Sequence, residues 1–261
     1  MRDLAPEIFA IAETLNLALP APPGQERVIE RRFAAFVGSE DIPGHNLVQR
    51  LRLNDDEVEP TVAELRALFR ARGKTAMTWE ISPSCTPADL HDRLLALGMV
   101  PDDEPVIAGM VLQRPLPPTD AAVTVRHVES LEDFCAHRLV YHRCFGRGEA
   151  APTTDEMTRD HQRRAGREPH LVRYLAFIDG VVVGAADADL TDHAVVLCGG
   201  ATLPEARHRG VYGALVQARF AEARLRGTPT LVVQAGAMSR PTLEKMGFEE
   251  VVRVNVLLDR L

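Results

Sequence analysis

The chain has 261 residues, with 30 lysines and arginines against 37 aspartates and glutamates. The net charge of −7 excludes broad nucleic-acid binding, which draws on a basic surface, and the length permits one large or two modest domains without staples. Cys85, Cys135, Cys144 and Cys198 have no Cys-x-x-Cys spacing, and Glu13 interrupts the apolar stretch near the N-terminus, so we expect no disulfide frame, zinc site, signal-peptide core or membrane span, and a reducing cytoplasmic setting.

In the first half, Leu4, Ile8, Ile11 and Leu15 recur at helical spacing over Leu4–Leu17 and end at the Pro20–Gly24 breaker. Strands are expected around Val28–Ala35 and Leu47–Leu53. A helix follows over Pro60–Arg72, with Val62, Leu65 and Phe69 on one face and Gly73 after it. Thr75–Ile81 reads as a strand, and Thr86-Pro87 as an N-cap and first residue of a helix closed by Gly98. Val106–Leu112 is the next strand. The proline-rich stretch Gln113–Asp120 reads as an extended linker.

The second half opens with a strand at Ala122–Val128 and a helix at Ser130–Phe145, then a polar segment over 146–170. Tyr174–Ile178, the Asp179-Gly180 turn and Val181–Leu190 form a hairpin. Next comes Val195–Arg226, an apolar run to Thr202, a Leu203-Pro204-Glu205 corner, a basic Gly-containing turn and a long amphipathic segment. This reads as strand, tight loop and helix, with Arg207 to Gly213 opening the helix. Unpaired backbone N–H groups and the helix dipole make such a terminus an anion cradle. A strand at Thr230–Gln234, a short helix at Arg240–Met246 and a strand at Val251–Leu258 follow.

The halves repeat one order. Helix, Arg70-Ala71-Arg72-Gly73, strand, Pro87 helix and Gly98-Met99 correspond to helix, Arg224-Leu225-Arg226-Gly227, strand, Pro241 helix and Gly247-Phe248. Where the second half carries its basic loop, the first has the acidic run Asn54-Asp55-Asp56-Glu57-Val58-Glu59, so one anion site is expected, not two.

The loop lacks both a Walker Gly-Lys-Ser/Thr and a dinucleotide Gly-x-Gly-x-x-Gly. Its Arg207-x-x-Gly210, after the Leu203-Pro204-Glu205 corner, resembles the pyrophosphate loop of the GNAT-type N-acetyltransferase superfamily, with Tyr212 at the usual second small position and Gly213 one place late. The resemblance covers residues 123 to 261 and is fainter before. It implies an α/β (α+β) fold with a mixed, mostly antiparallel central sheet flanked by helices, in two related halves: a degenerate domain at 1–115 and a working acetyltransferase domain at 121–261. It also implies acetyl-coenzyme A as cosubstrate and no metal. Ala201, Thr202 and Leu203 would bond the pantetheine through their main chain, and Arg207, His208, Arg209, Gly210, Val211, Tyr212 and Gly213 would hold the pyrophosphate.

The general base and acid are open. Asp187 and Asp189 share one strand face, with His193 at its turn; Glu80 is a more distant candidate. The tyrosine that the family often places before the Gly-Phe pair is Leu243 here, which leaves Ser239 and Thr242 as hydroxyl candidates. Cys198 has no demonstrable base beside it and reads as a small core residue. His137, His142 and Cys144 do not share a helix face, so no metal site is expected. The expected reaction is acetyl transfer to a primary amine of a small molecule or peptide, with no nucleic-acid or membrane partner and a homodimer admitted. The alternatives are a non-catalytic acyl-coenzyme A sensor and a transferase of longer acyl chains.

Overall fold

The computed structural model describes residues 4–117, 122–146 and 150–261. In chain order the elements are α1 (Pro6–Glu13), α2 (Leu15–Ala18), β1 (Glu26–Ile29), β2 (Ala34–Val37), β3 (Leu47–Gln49), α3 (Val58–Arg70), β4 (Ala76–Ile81), α4 (Leu90–Ala96) and β5 (Val100–Leu112). They continue with β6 (Thr124–His127), α5 (Leu131–Phe145), α6 (Thr154–Arg164), β7 (Leu171–Ile178), β8 (Val181–Leu190), β9 (Val195–Thr202), α7 (Val211–Leu225), β10 (Leu231–Ala235), α8 (Arg240–Met246) and β11 (Glu249–Arg260). Residues 118–120 of the expected linker and 147–149 of the polar segment lie outside the described residues.

Two compact units emerge. One comprises the residues up to Met110 with Gln234–Glu244 and Glu249–Leu261; the other comprises Val111–Val233 and Lys245–Phe248. The same succession occurs in each half of the chain: three antiparallel strands, a helix, a strand parallel to the third, a helix and a last strand.

In the first unit the strand order is β1-β2-β3-β4-β11-β5. Strand β11 runs antiparallel to β4 from Asn255↔Ile81 to Arg260↔Ala76, so the last strand of the second half is built into the first unit. Helix α3 lays Val58, Val62, Leu65 and Phe69 against a core of Phe33, Leu51, Met77, Trp79 and Leu257. That stripe recurs at the helical period, as the sequence requires.

Three details of this unit differ from the sequence reading. The helix expected over Leu4–Leu17 is split at Thr14, whose hydroxyl donates to Ala10 O at 3.0 Å, a local bond that competes with helix continuation. The strand expected around Val28–Ala35 is a hairpin, because Glu30 to Phe33 turn the chain and pair Ile29 with Ala34. Thr86 caps no helix: its hydroxyl donates to Leu53 O at 2.9 Å, and α4 begins only at Leu90.

In the second unit the order is β10-β9-β8-β7-β6, antiparallel except for β10 on β9. Helix α5 packs on one face and α7 on the other. A Cβ at Gly184 would meet Val211 and Leu215 of α7, whereas its neighbour Ala185 clusters with Val140 of α5, as alternation along a strand demands. The hairpin at Asp179-Gly180 has both residues at positive φ, +51° and +76°, a conformation that suits a tight two-residue turn.

Candidate functional site

Strand β9 is built to be interrupted. Its ladder with β10 consists of Leu231↔Val195 and Val232↔Val196, and β9 then runs on to Thr202. On its other edge the register with β8 slips. Ala201 faces Ala185 and Cys198 faces Asp187, leaving Gly199 and Gly200 opposite the single residue Ala186. This is a β-bulge, with Gly199 at φ +61° and exposed.

Tyrosines press on the bulge from both faces. A side chain at Gly199 would collide with the Tyr141 hydroxyl, and a Cβ at Gly200 would lie 2.8 Å from the Tyr212 ring. Only glycine fits either position. The same contact accounts for the departure at Tyr212, whose ring packs beneath Gly200.

After β9 the chain turns through Pro204–Ala206 into Arg207–Gly210, all four of which are exposed. His208 and Gly210 both have positive φ, +62° and +77°. Gly210 serves as N-cap of α7 with no side-chain cap bond, and the first turn holds no acidic residue. The leading N–H groups of a 15-residue helix therefore lack a side-chain acceptor there. Glu205, the nearest acid in sequence, is paired with Arg143 at 3.0 Å. Arg207 and Arg209 make no ion pair among the described residues. Thr202 Oγ1 is buried without a hydrogen-bond partner at the end of β9. A positive turn, free helix N–H groups, a strand edge and an unused buried hydroxyl fit an elongated ligand that carries phosphate at one end and amides at the other.

Beneath α5 lies a polar cluster. Asp187 and Asp189 do share a face, but it is a covered one. His137, 1% exposed, places Nε2 2.8 Å from Asp187 Oδ1, off the line of a hydrogen bond, and stacks on Tyr141 with ring centroids 4.6 Å apart. Asp189 accepts from Cys198 Sγ at 3.0 Å and lies 3.4 Å from His170 Nε2. Burial, with Asp189 alongside, pushes the Cys198 thiol well above its ordinary value, so the thiol is no ready nucleophile. Burial also raises Asp189, while the Asp187 side chain keeps 19% of its surface open. Tyr141 donates to Cys198 O at 3.4 Å, and its hydroxyl is raised by burial and then by Asp187.

On the opposite face Arg219 is fully buried. Nε donates to Leu215 O at 3.0 Å, Nη1 to Asp187 O and Gly199 O at 3.2 Å each, and Nη2 has no partner. No carboxylate pairs with it among the described residues, and burial pulls it below the ordinary guanidinium value. Neither His137 nor Arg219 was singled out as a site residue from the sequence. Each sits on an otherwise apolar stripe, Phe134-His137-Tyr141 and Val211-Leu215-Arg219, which is the signal that could have found them.

Ser239 belongs to the first unit, where its hydroxyl donates to Gly236 O at 3.4 Å; Leu243, on α8, is completely buried. His193 is exposed at its turn, with its backbone N–H on Thr191 Oγ1. No metal-ligand cluster occurs among the described residues, and no helix among them is long and apolar enough to cross a membrane.

The first unit carries the counterpart of this strand and loop in closed form. Arg50, after β3, has φ +55°, but Ser84 to Thr86 then lie along the strand extension. Thr86 N–H donates to Leu51 O at 3.2 Å, Leu53 N–H donates to Thr86 O at 3.3 Å, and Arg52 reaches Ser84 Oγ at 2.7 Å. The approach to α3 is acidic, and Arg93 is drawn onto Asp55 at 2.6 Å. The unit's own backbone and side chains fill the groups that an extended ligand would need.

A mixed, mostly antiparallel sheet between helices, with a bulged strand running into a basic helix N-terminus, defines a protein of the GNAT fold. Residues 134–248 match the model of the acetyltransferase (GNAT) family. The solved GCN5-related N-acetyltransferase from Kribbella flavida superposes with a TM-score of 0.73 at 17% identity, over 97% of this chain and 95% of that one. A tandem GNAT protein from the clavulanic acid biosynthesis pathway gives 0.65 at 15% identity, over 97% and 87% of the two chains. The GCN5-related N-acetyltransferase from Sphaerobacter thermophilus gives 0.66 at 19%, over 88% and 76%. At these identities the likeness is one of fold. No curated protein matches the chain.

Proposed function

We propose that the chain is an acetyl-coenzyme A-dependent N-acetyltransferase, with residues 121–261 as its working half and 1–115 as a degenerate copy. The observation that carries this is the run from the Gly199-Gly200 bulge along a strand edge into the acid-free N-terminus of α7. Main-chain groups of Ala201, Thr202 and Leu203 would hold pantetheine amides. Arg207 through Gly213 would hold the pyrophosphate, with N–H groups at close range and guanidinium charge around them.

When bound, the cosubstrate supplies an activated acyl group; the chain's own residues orient it and move protons. Asp187 is the proposed proton acceptor for the incoming ammonium, directly or through water, because its carboxylate is partly open. Asp189 would support it from within the Cys198–His170 contacts. A thiol with a pKa near 8 to 9 leaves readily without a dedicated acid, so a buried Leu243 is compatible with turnover. Acidic groups at the site favour a primary amine that arrives as a cation, on a small molecule or a peptide.

Isothermal titration with acetyl-coenzyme A, followed by a thiol-release assay over an amine panel, tests the proposal. One equivalent bound per chain with turnover on at least one amine is expected. Binding without turnover on every amine would replace it with an acyl-coenzyme A sensor, and preference for longer donors with a longer-chain transferase. No binding would end it.

A further inference from the structure

The buried guanidinium of Arg219 has no role in the reaction just described, yet it is costly to keep. Placing a cation in the interior without a paired carboxylate is unfavourable, and three backbone carbonyls offset only part of that. Its position is specific. Nη1 bridges Asp187 O of β8 and Gly199 O of β9, at the point where the β8–β9 register skips two glycines. It stands where the ladder is interrupted.

That bond has a geometric consequence. The C=O of Gly199 and the N–H of Gly200 belong to one trans peptide unit and point in opposite directions. With the carbonyl held toward Arg219, on the α7 side, the Gly200 N–H is directed away from it. Past Val196, β9 no longer pairs with β10, so the bulge lies along the strand's open stretch. Tyr212, half-buried beneath Gly200, and Tyr141, against Gly199, pack closely on the two glycines.

Resting on the acetyl-coenzyme A reading above, we propose that Arg219 is a positioning residue that locks the Gly199–Gly200 peptide so that the Gly200 N–H is presented to the thioester carbonyl oxygen. The guanidinium touches no substrate. It acts through the peptide and adds positive potential beneath it. A preorganised donor of this kind is effective because it needs no reorientation during reaction.

The test uses the full chain. In wild-type protein with ¹⁵N-glycine, acetyl-coenzyme A should move the Gly200 amide further than coenzyme A does, and the carbonyl stretch of bound [1-¹³C]acetyl-coenzyme A should fall below that in solution. Arg219→Met should bind the donor nearly as well, lose the carbonyl shift and lose kcat on the order of 10²-fold; Arg219→Lys, which keeps the charge, should recover part of both. An Arg219→Met protein that keeps the shift and the kcat overturns the inference. Should that variant fail to fold, the wild-type amide decides: equal movement with both ligands overturns it. A wild-type protein that binds no acetyl-coenzyme A overturns the parent reading as well, whereas binding without a Gly200 response overturns this inference alone.

Discussion

Two aspartates one turn of pleat apart on β8 have different surroundings, and the difference assigns them different duties. Asp189 is occupied by Cys198 Sγ and His170 and is raised by burial, while Asp187 faces His137 obliquely and keeps an open edge. Asp187→Asn should therefore lower kcat/KM by at least about 10²-fold, the range typical of a lost general base, and Asp189→Asn by much less; thiol-release kinetics on both variants measure the contrast. Equal losses would return the base to an open question. Glu80 offers a separate measurement in the first unit. Burial lifts its carboxyl from 4.5 to about 7, with the Gln49 amide at 2.6 Å acting in the opposite sense. A raised folded-state value means that the protonated form is favoured on folding. The stability it contributes is complete below about pH 4.5 and is lost as pH rises toward 7. Glu80→Gln should then stabilise the protein at pH 8 by up to about 3 kcal/mol and flatten urea-melt stability between those limits.

At the scale of elements, the loop before α7 depends on backbone shape more than on any one charge. Gly210 at φ +77° leads directly into a helix whose first N–H groups have no side-chain cap. A β-branched residue there is strained by about 1 to 3 kcal/mol. Gly210→Val should weaken coenzyme A binding at least tenfold by titration calorimetry, and Arg207→Glu should do the same by charge; unchanged affinity in both would remove the loop from the site. This loop was legible in the sequence because its signals are local: a Pro corner, arginines, a glycine and an apolar helical stripe within one stretch. The Asp179-Gly180 hairpin was legible for the same reason. The hairpin around Glu30–Phe33 was not, since its turn contains no Gly, Pro or Asn. Thr86 read as a helix cap because a hydroxyl before proline usually is one; its actual acceptor, Leu53 O, is 33 residues away in sequence. His137 and Arg219 were missed for a related reason. A polar residue on an apolar stripe declares itself only when its partners, Asp187 in one case and the Gly199 carbonyl in the other, arrive from another element.

At the scale of the whole molecule, the sequence repeat and the compact units divide the chain differently, and the last strand is where they part. By repeat, β11 closes the second half; by packing, it pairs along β4 and its Leu257 enters the core around Trp79. Asp259, 1% exposed, receives both Nε and Nη2 of Arg66 at 2.9 Å. Ending the chain after Phe248 would open the β4 edge, uncover that core and leave Arg66 without this acceptor. Asp259→Ala alone should cost about 3 to 5 kcal/mol, the usual penalty for breaking a buried ion pair from one side. Loss of the whole strand should exceed this and consume most of the stability of a domain, about 5 to 15 kcal/mol. A chain of residues 1–248 should thus melt far below the full protein by circular dichroism and aggregate through its bare strand edge. The isolated first half, residues 1–115, should do likewise and gain a cooperative transition when a peptide spanning 249–261 is added. A cooperative melt of 1–248 within a few degrees of the full chain would mean that β11 is an accessory to the first unit and not one of its structural strands.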